Sequence, residues 1–424
     1  MADATSHPPT PADLADPDLY AKGIPQDVFA ELRARPGLSW NPPSPGDDRG
    51  FWAVTRHADL VEVSRDPGTY SSAVGHIQIY DIDADALDAR ASMIDLDPPI
   101  HTRLRRLVSA AFTPRHVQSH TDAIRARVVD CLDRLAREGG GEWVSAVAKP
   151  IPIGVICDIM GVPSEDHDLM IELSDHLVAG TSAETLDPTA YGNTTELRLL
   201  PFNSPAAHGI FTYARDLGER RRAEPADDLI TKLIESEVDG ERLTDAEFTN
   251  FFRLMIFAGN ETTRSAMSHL AMHLAAWPEQ FARIAEADPA ERAAVVDGAV
   301  EEVLRYSSPI LYFRRTATVD TELAGTPVAA GDKVVMWYAA ANFDEAVFAD
   351  PLRFDISRPK VPANVAFGGG GAHFCLGASL ARLELAILLD EIVARGLVVE
   401  PVGDPEFVPS NFVNGIEHLE VVVR

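Results

Sequence analysis

The stretch Phe367-Gly-Gly-Gly-Gly-Ala-His-Phe-Cys375-Leu-Gly377 places one cysteine between a four-glycine loop and an apolar helical pattern. Glycines let a backbone pass close to a flat macrocycle and adopt positive φ angles that other residues resist. The N–H groups that open the following helix can donate to the sulfur and lower the pKa of the thiol. The segment therefore predicts a cysteine thiolate that ligates a haem iron.

The composition and charge are those of a globular, acidic chain. Its 424 residues are 46% hydrophobic, which is ample for a buried core, and 65 acidic against 37 basic residues give a net charge of −28. That charge opposes binding to nucleic acid and to anionic lipid, and its ordinary effect is solubility. Neither a signal-peptide pattern nor an apolar window of roughly 18 residues occurs, so we expect a cytoplasmic protein with no membrane anchor.

Two of the three cysteines have an ordinary interpretation. Cys131 and Cys157 lie in helical apolar patterns, and packing in the core is favoured for both. The odd, small number of cysteines also argues against a disulfide framework. Cys375 differs because glycine and histidine surround it, and no CxxC pair or zinc-spaced cluster competes with it.

Periodicity along the chain predicts many helices and a few short strands. Residues 1–20 are rich in Pro, Ala and Asp, and we expect them to form a loosely held, flexible arm before one domain over residues 21–424. Helical spacing occurs over 26–35, 57–63, 244–277, 297–307 and 377–395, and strand patterns occur over 51–55, 312–318 and 333–338. No repeat or linker divides the chain. The expected fold is a single mainly α domain with small β-sheets.

A polar island, Ala258-Gly-Asn-Glu-Thr-Thr263, interrupts the longest helical pattern. A glycine inside a helix costs about 1 kcal/mol relative to alanine, so Gly259 suggests that something lies close to the backbone. Thr262 can donate to a carbonyl of the preceding turn and bend the helix, which opens room for a small ligand. Glu261 and Thr262 are candidates for relaying protons to a buried oxygen species. By itself, a local packing irregularity explains the island equally well.

Glu302 and Arg305 lie one helical turn apart, where the carboxylate and the guanidinium can pair. On a solvated face such a pair contributes only about 0–1 kcal/mol. Apolar neighbours on the same helix indicate that one side of it is buried and that the pair is partly buried with it. The later Arg353 can complete the network, in a structural role near the site.

Four basic side chains flank the cysteine loop and suit the two carboxylates of a haem. His101 and Arg105 are i,i+4 neighbours on one helix face after a proline break. Arg315 on a strand and His373 just before the cysteine offer further donors. Each cation by itself is more simply a surface residue, but four around one thiolate loop predict a carboxylate site.

These segments together resemble the cytochromes P450, the haem-thiolate monooxygenases, from end to end of the chain. Four motifs in family order carry the resemblance: Ala258–Thr263, Glu302 with Arg305, Pro351 with Arg353 and Phe354, and Phe367–Gly377. The resemblance implies a mainly helical triangular prism, a haem b cofactor, Cys375 as its axial metal ligand, and Glu261 with Thr262 as the catalytic acid–alcohol pair. The cofactor-binding residues that it implies are His101, Arg105, Arg315, His373, Phe367, Gly377, Ala258 and Gly259.

Two departures from the family pattern bear on these assignments. The loop from Phe367 to Cys375 is one residue longer than the usual one, so the role of His373 rests on its distance from Cys375. Glu261 stands where Asp is commoner, which lengthens the proton relay by one methylene. The loop and the island resemble those of actinobacterial members that hydroxylate sterol side chains, methyl-branched lipids and terpenoids. Biosynthetic members that act on carrier-tethered amino acids or polyketide intermediates look similar in the same motifs.

The implied function is insertion of one oxygen atom from O2 into a hydrophobic small molecule. No flavin or iron–sulfur domain is fused within 424 residues, so electrons are expected from a ferredoxin and its ferredoxin reductase. Arg103 and Arg106 are expected to face outward and to dock that acidic partner. A carrier protein is the partner if the substrate arrives tethered. A peroxide-driven oxygenase keeps the haem, whereas a non-catalytic haem sensor leaves Thr262 and Glu261 without a role.

The resemblance also implies an apolar substrate pocket. The long irregular segment 70–96 is typical of a binding loop or lid. By motif position, the pocket walls are expected at Ile77, Ile79, Leu177, Val178, Leu254, Phe257, Ile310, Leu311 and Val413.

Overall fold

Helices form most of the fold and the sheets are small, which confirms the predicted class. The structure, a computed structural model, describes residues 8–44, 49–81, 92–179, 205–237 and 240–424. The α-helices are α1 (Gln26–Ala34), α2 (His57–Arg65), α3 (Ile100–Ser109), α4 (Pro114–Gln118), α5 (Thr121–Glu138), α6 (Pro150–Met160), α7 (His167–Ala179), α8 (Pro205–Ala223), α9 (Leu229–Glu235), α10 (Asp245–Ala276), α11 (Pro278–Glu286), α12 (Arg292–Ser307), α13 (Tyr338–Ala341) and α14 (Ala378–Ala394). The strands are β1 (Ser39–Asn41), β2 (Phe51–Val54), β3 (Tyr70–Ser71), β4 (Gly140–Glu142), β5 (Tyr312–Ala317), β6 (Thr321–Leu323), β7 (Thr326–Val328), β8 (Lys333–Trp337), β9 (Val399–Pro401), β10 (Glu406–Phe407), β11 (Ile416–His418) and β12 (Glu420–Val423).

The long helix α10 runs through the core and packs against α6, α7, α8 and α12. It begins at the predicted point because Thr244 and Glu247 form a capping box. The Thr244 hydroxyl oxygen accepts the Glu247 N–H at 3.1 Å, and the Glu247 carboxylate accepts the Thr244 N–H at 2.8 Å. It ends before Pro278, which opens α11 and cannot continue a helix from within.

The largest sheet is five-stranded, with the order β1-β2-β8-β5-β3. β2 and β8 are parallel, and the other neighbouring pairs are antiparallel. Trp337 at the end of β8 packs against the rings of Phe29 and Tyr312, with centroids 5.4 and 5.0 Å away. This aromatic contact holds the sheet on the helical core. It also fixes β5, which carries Arg315. The smaller sheets have the orders β4-β12-β9, β6-β7 and β10-β11.

The expectation of a loosely held arm over residues 1–20 is wrong for residues 8–20. Leu14 and Tyr20 are buried in the core. The side-chain oxygen of Asn41 accepts hydrogen bonds from the Leu14 N–H and the Thr10 hydroxyl, each at 2.9 Å. Burying two large apolar side chains stabilises the segment by roughly 1.5–3 kcal/mol each, which outweighs its polar composition. Residues 1–7 lie outside the described residues.

Cys131 and Cys157 are buried within α5 and α6, as predicted. Burial raises the pKa of the Cys157 thiol to about 12, so this group stays protonated at neutral pH. Both cysteines therefore act as small apolar residues. Among the helices that the structure describes, none has the length and apolar character needed to cross a membrane.

Candidate active site

A mostly apolar cavity of about 230 Å³ lies between α10 and the loop that carries Cys375. Segments far apart in sequence form its wall: residues 76–78, 92–95, 309–313 and 366–377, the middle of α10, and the first turns of α14. Cys375 and Thr262, singled out from the sequence for different reasons, both line it. Residues 82–91 of the predicted binding loop lie outside the described residues.

Cys375 is exposed to the cavity and otherwise enclosed by protein. Its N–H donates to the carbonyl of Phe367 at 3.0 Å, which closes the loop. Burial raises the pKa of the Cys375 thiol, while the N–H groups of Gly377 and Ala378 act in the opposite direction. The sequence predicted these amide donors and the direction of their effect, and the loss of hydration outweighs them. A bound metal cation reverses that balance, since a coordinated thiol is deprotonated.

The glycines of the loop allow a close contact with α2. Gly368 and Gly371 have φ angles of 96° and 77°, where other residues are strained. A Cβ at Gly369 would lie 2.7 Å from the Ser64 hydroxyl, and one at Gly371 would lie 2.3 Å from the Ser64 carbonyl. The sequence predicted that these glycines let the backbone approach a flat cofactor. In the structure, Gly369 and Gly371 bring the loop close to α2. Gly368 and Gly377 do line the cavity.

The four predicted carboxylate-binding side chains converge beside the cavity. The rings of His101 and His373 lie 4.2 Å apart between centroids, and both line the cavity wall. Arg105 donates to the carbonyls on both sides of His373, at 3.1 and 2.7 Å, which ties α3 to the cysteine loop. Arg315 is buried next to this group, and one of its amino groups donates to the carbonyl of Arg314.

Both histidines are neutral at neutral pH. Burial lowers the pKa of His101 to about 4 and that of His373 to about 2, and the charges of Arg105 and Arg315 act in the same direction. Each neutral ring carries one N–H donor. Nδ1 of His101 is buried and has no hydrogen-bond partner among the described residues.

This donor set fits a haem. Two guanidinium groups and two imidazoles beside an apolar cavity suit two carboxylates, and the unpartnered His101 Nδ1 leaves a donor for one of them. The Cys375 sulfur on the same cavity wall is a soft ligand suited to iron.

Thr262, Ala258 and Gly259 line the cavity from α10. The Thr262 hydroxyl donates to the Ala258 carbonyl at 2.9 Å, which is the bond that the sequence predicts. A Cβ at Gly259 would lie 3.1 Å from the Ile156 side chain of α6. Helix packing therefore already requires a small residue at this position.

Glu261 is buried but does not line the cavity, so it lies on a different side of α10 from Thr262. Its Oε2 lies 3.2 Å from Nη1 of Arg264, without hydrogen-bond geometry. Arg264 lies 3.4 Å from Asp175, which pairs with Lys149 at 2.8 Å. Burial raises the pKa of Glu261, and the Arg264 charge opposes that rise. A chain of charged groups thus connects Glu261 to the partly exposed Asp175 and Lys149.

Glu302 and Arg305 form the buried pair that their spacing predicts. Nε and Nη2 of Arg305 donate to the two carboxylate oxygens of Glu302, each at 2.8 Å. The prediction that Arg353 completes this network is wrong, because its side chain is exposed and only its carbonyl takes part. Arg358 does so instead, donating from Nε to Glu302 at 3.0 Å and from Nη2 to the Arg353 carbonyl.

The predicted pocket residues divide into two groups. Those that line the cavity are Ile77, Leu254, Phe257 and Ile310. Those that are buried elsewhere are Ile79, Leu177, Leu311 and Val413, whereas the side chain of Val178 lies outside the described residues. The errors at Leu311 and Val413 have a common reason: successive side chains of an extended chain point to opposite sides. Ile310 and Phe412 therefore reach the wall, and their neighbours enter the core.

Arg253 of α10 and Glu384 of α14 are among the charged residues on the cavity wall that sequence reasoning missed. Both are buried. Burial lowers the pKa of Arg253 to about 10 and raises the pKa of Glu384 to about 8. The signal that could have found them is a charged residue inside an apolar helical run, since charged side chains are almost never fully buried without a partner.

Arg103 does not face outward as predicted. It forms an ion pair with Glu247 at the start of α10 and lies 3.5 Å from Glu241. Because Glu247 also caps α10, this pair holds α3 against the beginning of that helix. Arg106 is exposed.

Known proteins show the same fold and similar sequences. The cytochrome P450 family model matches residues 53–420. A steroid C26-monooxygenase of Mycolicibacterium smegmatis is 36% identical over 98% of this chain and 95% of its own length. A methyl-branched lipid omega-hydroxylase of Mycobacterium tuberculosis is 39% identical over 98% of this chain and 96% of its own. The structure of Mycobacterium marinum cytochrome P450 CYP268A2 in complex with pseudoionone has a TM-score of 0.86 and 39% identity, covering 98% of this chain and 99% of that one.

The helical fold, the cysteine on the cavity wall and the carboxylate-binding cluster define a haem-thiolate protein. The chain belongs to the cytochrome P450 family. It is a monooxygenase that acts on a hydrophobic substrate, and the resemblance seen in its motifs is confirmed.

Proposed function

We propose that this P450 inserts one oxygen atom from O2 into a terpenoid, steroid or branched lipid, with electrons from a ferredoxin and its ferredoxin reductase. The observation that carries the proposal is one mostly apolar cavity whose wall contains both Cys375 and Thr262. The relatives support the substrate class, since two are named as steroid and methyl-branched lipid hydroxylases and one solved structure contains pseudoionone.

The cofactor in this proposal is haem b. Of the three cysteines in the chain only Cys375 lines the cavity, so no second thiol is placed to attach a haem covalently. Cys375 would ligate the iron, and the carboxylates would be held by His101, Arg105, Arg315 and His373. The bound haem supplies oxygen activation, because thiolate ligation favours cleavage of the O–O bond. The apolar wall of the cavity excludes water and orients the substrate.

Thr262 would deliver protons to the reaction at its hydroxyl group. Its own proton is donated to the Ala258 carbonyl, so the hydroxyl oxygen is free to accept another hydrogen bond. Glu261 would supply the protons, since its raised pKa lets the carboxyl take up and release a proton nearer neutral pH. The carboxyl must leave Arg264 and turn around α10 to reach Thr262. A peroxide-driven oxygenase or a haem sensor does not require the chain of charged groups that connects Glu261 to Asp175 and Lys149.

The electron donor would dock near α3. Arg106 is exposed on this helix, and Arg105 of the same helix contacts the carbonyls beside Cys375. A basic patch here complements an acidic ferredoxin. We place the protein in the cytoplasm, where the three unpaired cysteines stay reduced.

Substitution of Thr262 by alanine tests the proton-delivery step. Without the hydroxyl, electrons should still be consumed, but most of them should yield peroxide and water instead of product. The measurement is the ratio of hydroxylated product to NAD(P)H oxidised in the reconstituted system. Thr262→Ser keeps the hydroxyl and is the matched control. If Thr262→Ala keeps the coupling of the wild type, the hydroxyl has no role in proton delivery.

A ligand panel tests the substrate class. Terpenoids, steroids and branched fatty acids are titrated against the haem-loaded protein, and binding is followed as a low-spin to high-spin change in the absorbance spectrum. We expect at least one class to bind. No response from all three classes would contradict the proposal and favour the carrier-tethered substrate.

A further inference from the structure

Arg253 is a charged residue in the most apolar part of α10, between Phe251-Phe252 and Leu254-Met255. It is 5% exposed and lines the cavity. Its Nε is buried and has no hydrogen-bond partner among the described residues. Burial lowers its pKa only to about 10, so the guanidinium stays charged at neutral pH. A buried, unpaired charge is strongly destabilising, which implies a counter-ion that the described residues do not supply.

Four other buried arginines of the described chain, Arg33, Arg264, Arg305 and Arg314, have carboxylate partners. Arg305 pairs with Glu302 at 2.8 Å, and Arg264 lies 3.2 Å from Glu261. Arg315 has no carboxylate partner among the described residues and is expected to hold a haem carboxylate. Arg253 shares this pattern with Arg315, which indicates that it too faces an anion that the described residues do not supply.

Asp95 is the acid whose charge acts on Arg253, and only one of its carboxylate oxygens accepts hydrogen bonds from the described residues. One oxygen accepts from the N–H and the hydroxyl of Ser92 at 3.1 and 2.8 Å. The other oxygen lies 3.1 Å from Nε2 of His76. No ion pair joins Asp95 to Arg253 within the part of the chain that the structure describes. Arg253, His76, Ser92 and Asp95 thus form a polar group on the wall of a mostly apolar cavity.

The position of Arg253 sets the length of a ligand that places an anionic group at Arg253 and extends to Thr262. Arg253 and Thr262 lie on the same helix, roughly 13 Å apart along its axis at about 1.5 Å per residue. A molecule that reaches from this polar group to Thr262 must therefore carry its anionic group about 13 Å from the atom that is oxidised. The wall between them includes Leu254, Phe257 and Ala258, so this part of the ligand is apolar.

We propose that Arg253 binds the carboxylate of the substrate, so that this P450 oxidises hydrophobic carboxylic acids at the end remote from the acid group. The inference rests on the proposed monooxygenase function and names its substrate class. A guanidinium presents two parallel N–H donors that match the two oxygens of a carboxylate. A monoanion balances the single charge of Arg253, whereas a doubly charged phosphate would be repelled by Asp95.

The test compares two probes of the same length on haem-loaded protein, dodecanoate and methyl dodecanoate. Affinity is measured from the spin-state change and, independently, by calorimetry. The wild type should bind the acid roughly 10- to 100-fold more tightly than the ester, as expected for a charge-assisted hydrogen bond in a buried site. Arg253→Met, which keeps the length of the side chain and removes its charge, should abolish that preference. Leu254→Ala is the matched control on the same wall and should weaken both probes alike.

The wild-type comparison needs no variant, so a folding defect in Arg253→Met cannot obscure the result. Equal affinity for the two probes, or an unchanged preference in Arg253→Met, overturns the anion site and leaves the hydrophobic pocket standing. If neither probe nor any neutral terpenoid or steroid binds, the proposed function fails, and this inference fails with it.

Discussion

Charge is buried in two different ways in this molecule. Around Arg305 the charges are fully paired. Its guanidinium donates to both oxygens of Glu302 and to the carbonyls of Asn342 and Pro351, all at 2.8 to 3.0 Å. Around the cavity, polar groups are left without partners, because His101, Arg253 and Glu384 each keep a buried nitrogen or oxygen atom with no hydrogen-bond partner among the described residues.

The difference separates stability from function. A closed network contributes to the fold, because every buried charge meets an opposite charge or a dipole. A group of buried polar atoms without partners lowers the stability of the fold until a ligand binds to it. Such a group therefore marks a binding site. The two regions should therefore respond to substitution in opposite ways. Changes at the cavity should remove function and spare the fold, and changes at the Glu302 network should do the reverse.

Removal of the Cys375 sulfur should have the largest effect. In Cys375→Ala the iron loses its only thiolate ligand, so the thiolate-type band in the carbon monoxide difference spectrum of the reduced protein should vanish, and hydroxylation with it. The far-UV circular dichroism should remain that of the wild type. Cys131→Ala, which removes a thiol from α5, is the control and should keep the band. A thiolate band that persists in Cys375→Ala would contradict the assignment.

Breaking the hydrogen-bonded network of Glu302, Arg305 and Arg358 should lower the free energy of unfolding without changing the carbon monoxide difference spectrum. Glu302→Gln leaves Arg305 and Arg358 buried without their shared carboxylate, and we expect a loss of about 3–5 kcal/mol in the free energy of unfolding. Urea denaturation measures it. Glu31→Gln, at an exposed i,i+4 pair with Arg35, should cost no more than about 0.5 kcal/mol. Similar losses for the two variants would mean that burial adds nothing to the Glu302 network.

Glu384 should make the unfolding free energy depend on pH. Burial keeps this carboxyl protonated in the folded chain up to about pH 8, whereas it loses its proton near the ordinary value of 4.5 when unfolded. Between these values the folded chain holds the extra proton, so its stability falls as the pH rises, by at most about 1.4 kcal/mol per pH unit.

Glu384→Gln removes this contribution. Its stability relative to the wild type should therefore increase from pH 5 to pH 8, as measured by urea unfolding at several pH values. A difference between the two proteins that stays constant over this range would show that Glu384 does not titrate there.

The smallest effect is expected outside both regions, at the exposed Arg106. Arg106→Glu should slow reduction by the ferredoxin several-fold at low ionic strength and much less at high salt, because exposed charges steer association and are screened. Stopped-flow reduction kinetics provide the measurement. Arg424→Glu, an exposed cation at the other end of the chain, is the control. Equal slowing by both variants would indicate an effect of net charge and not of a docking site.

The features that sequence reasoning predicted well are local. Thr262 and Ala258, like Glu302 and Arg305, lie within about one turn of a helix, so their spacing almost determines the contact. Sequence reasoning failed where it had to predict the side of a helix or an extended segment to which a side chain points. Glu261 next to Thr262 turned to another side of α10, and Leu311 next to Ile310 entered the core.

The sequence by itself determined the helical class and the family and singled out the cysteine loop, because glycine content, helical periodicity and motif order are properties of the chain read in sequence. Only the tertiary structure decided which charges are paired and which are left open. Arg358 replaced Arg353 as the partner of Glu302, and Arg253 has no carboxylate partner in the described part of the chain. The physical reason is that burial and pairing depend on which distant segments pack together, and no local pattern records that.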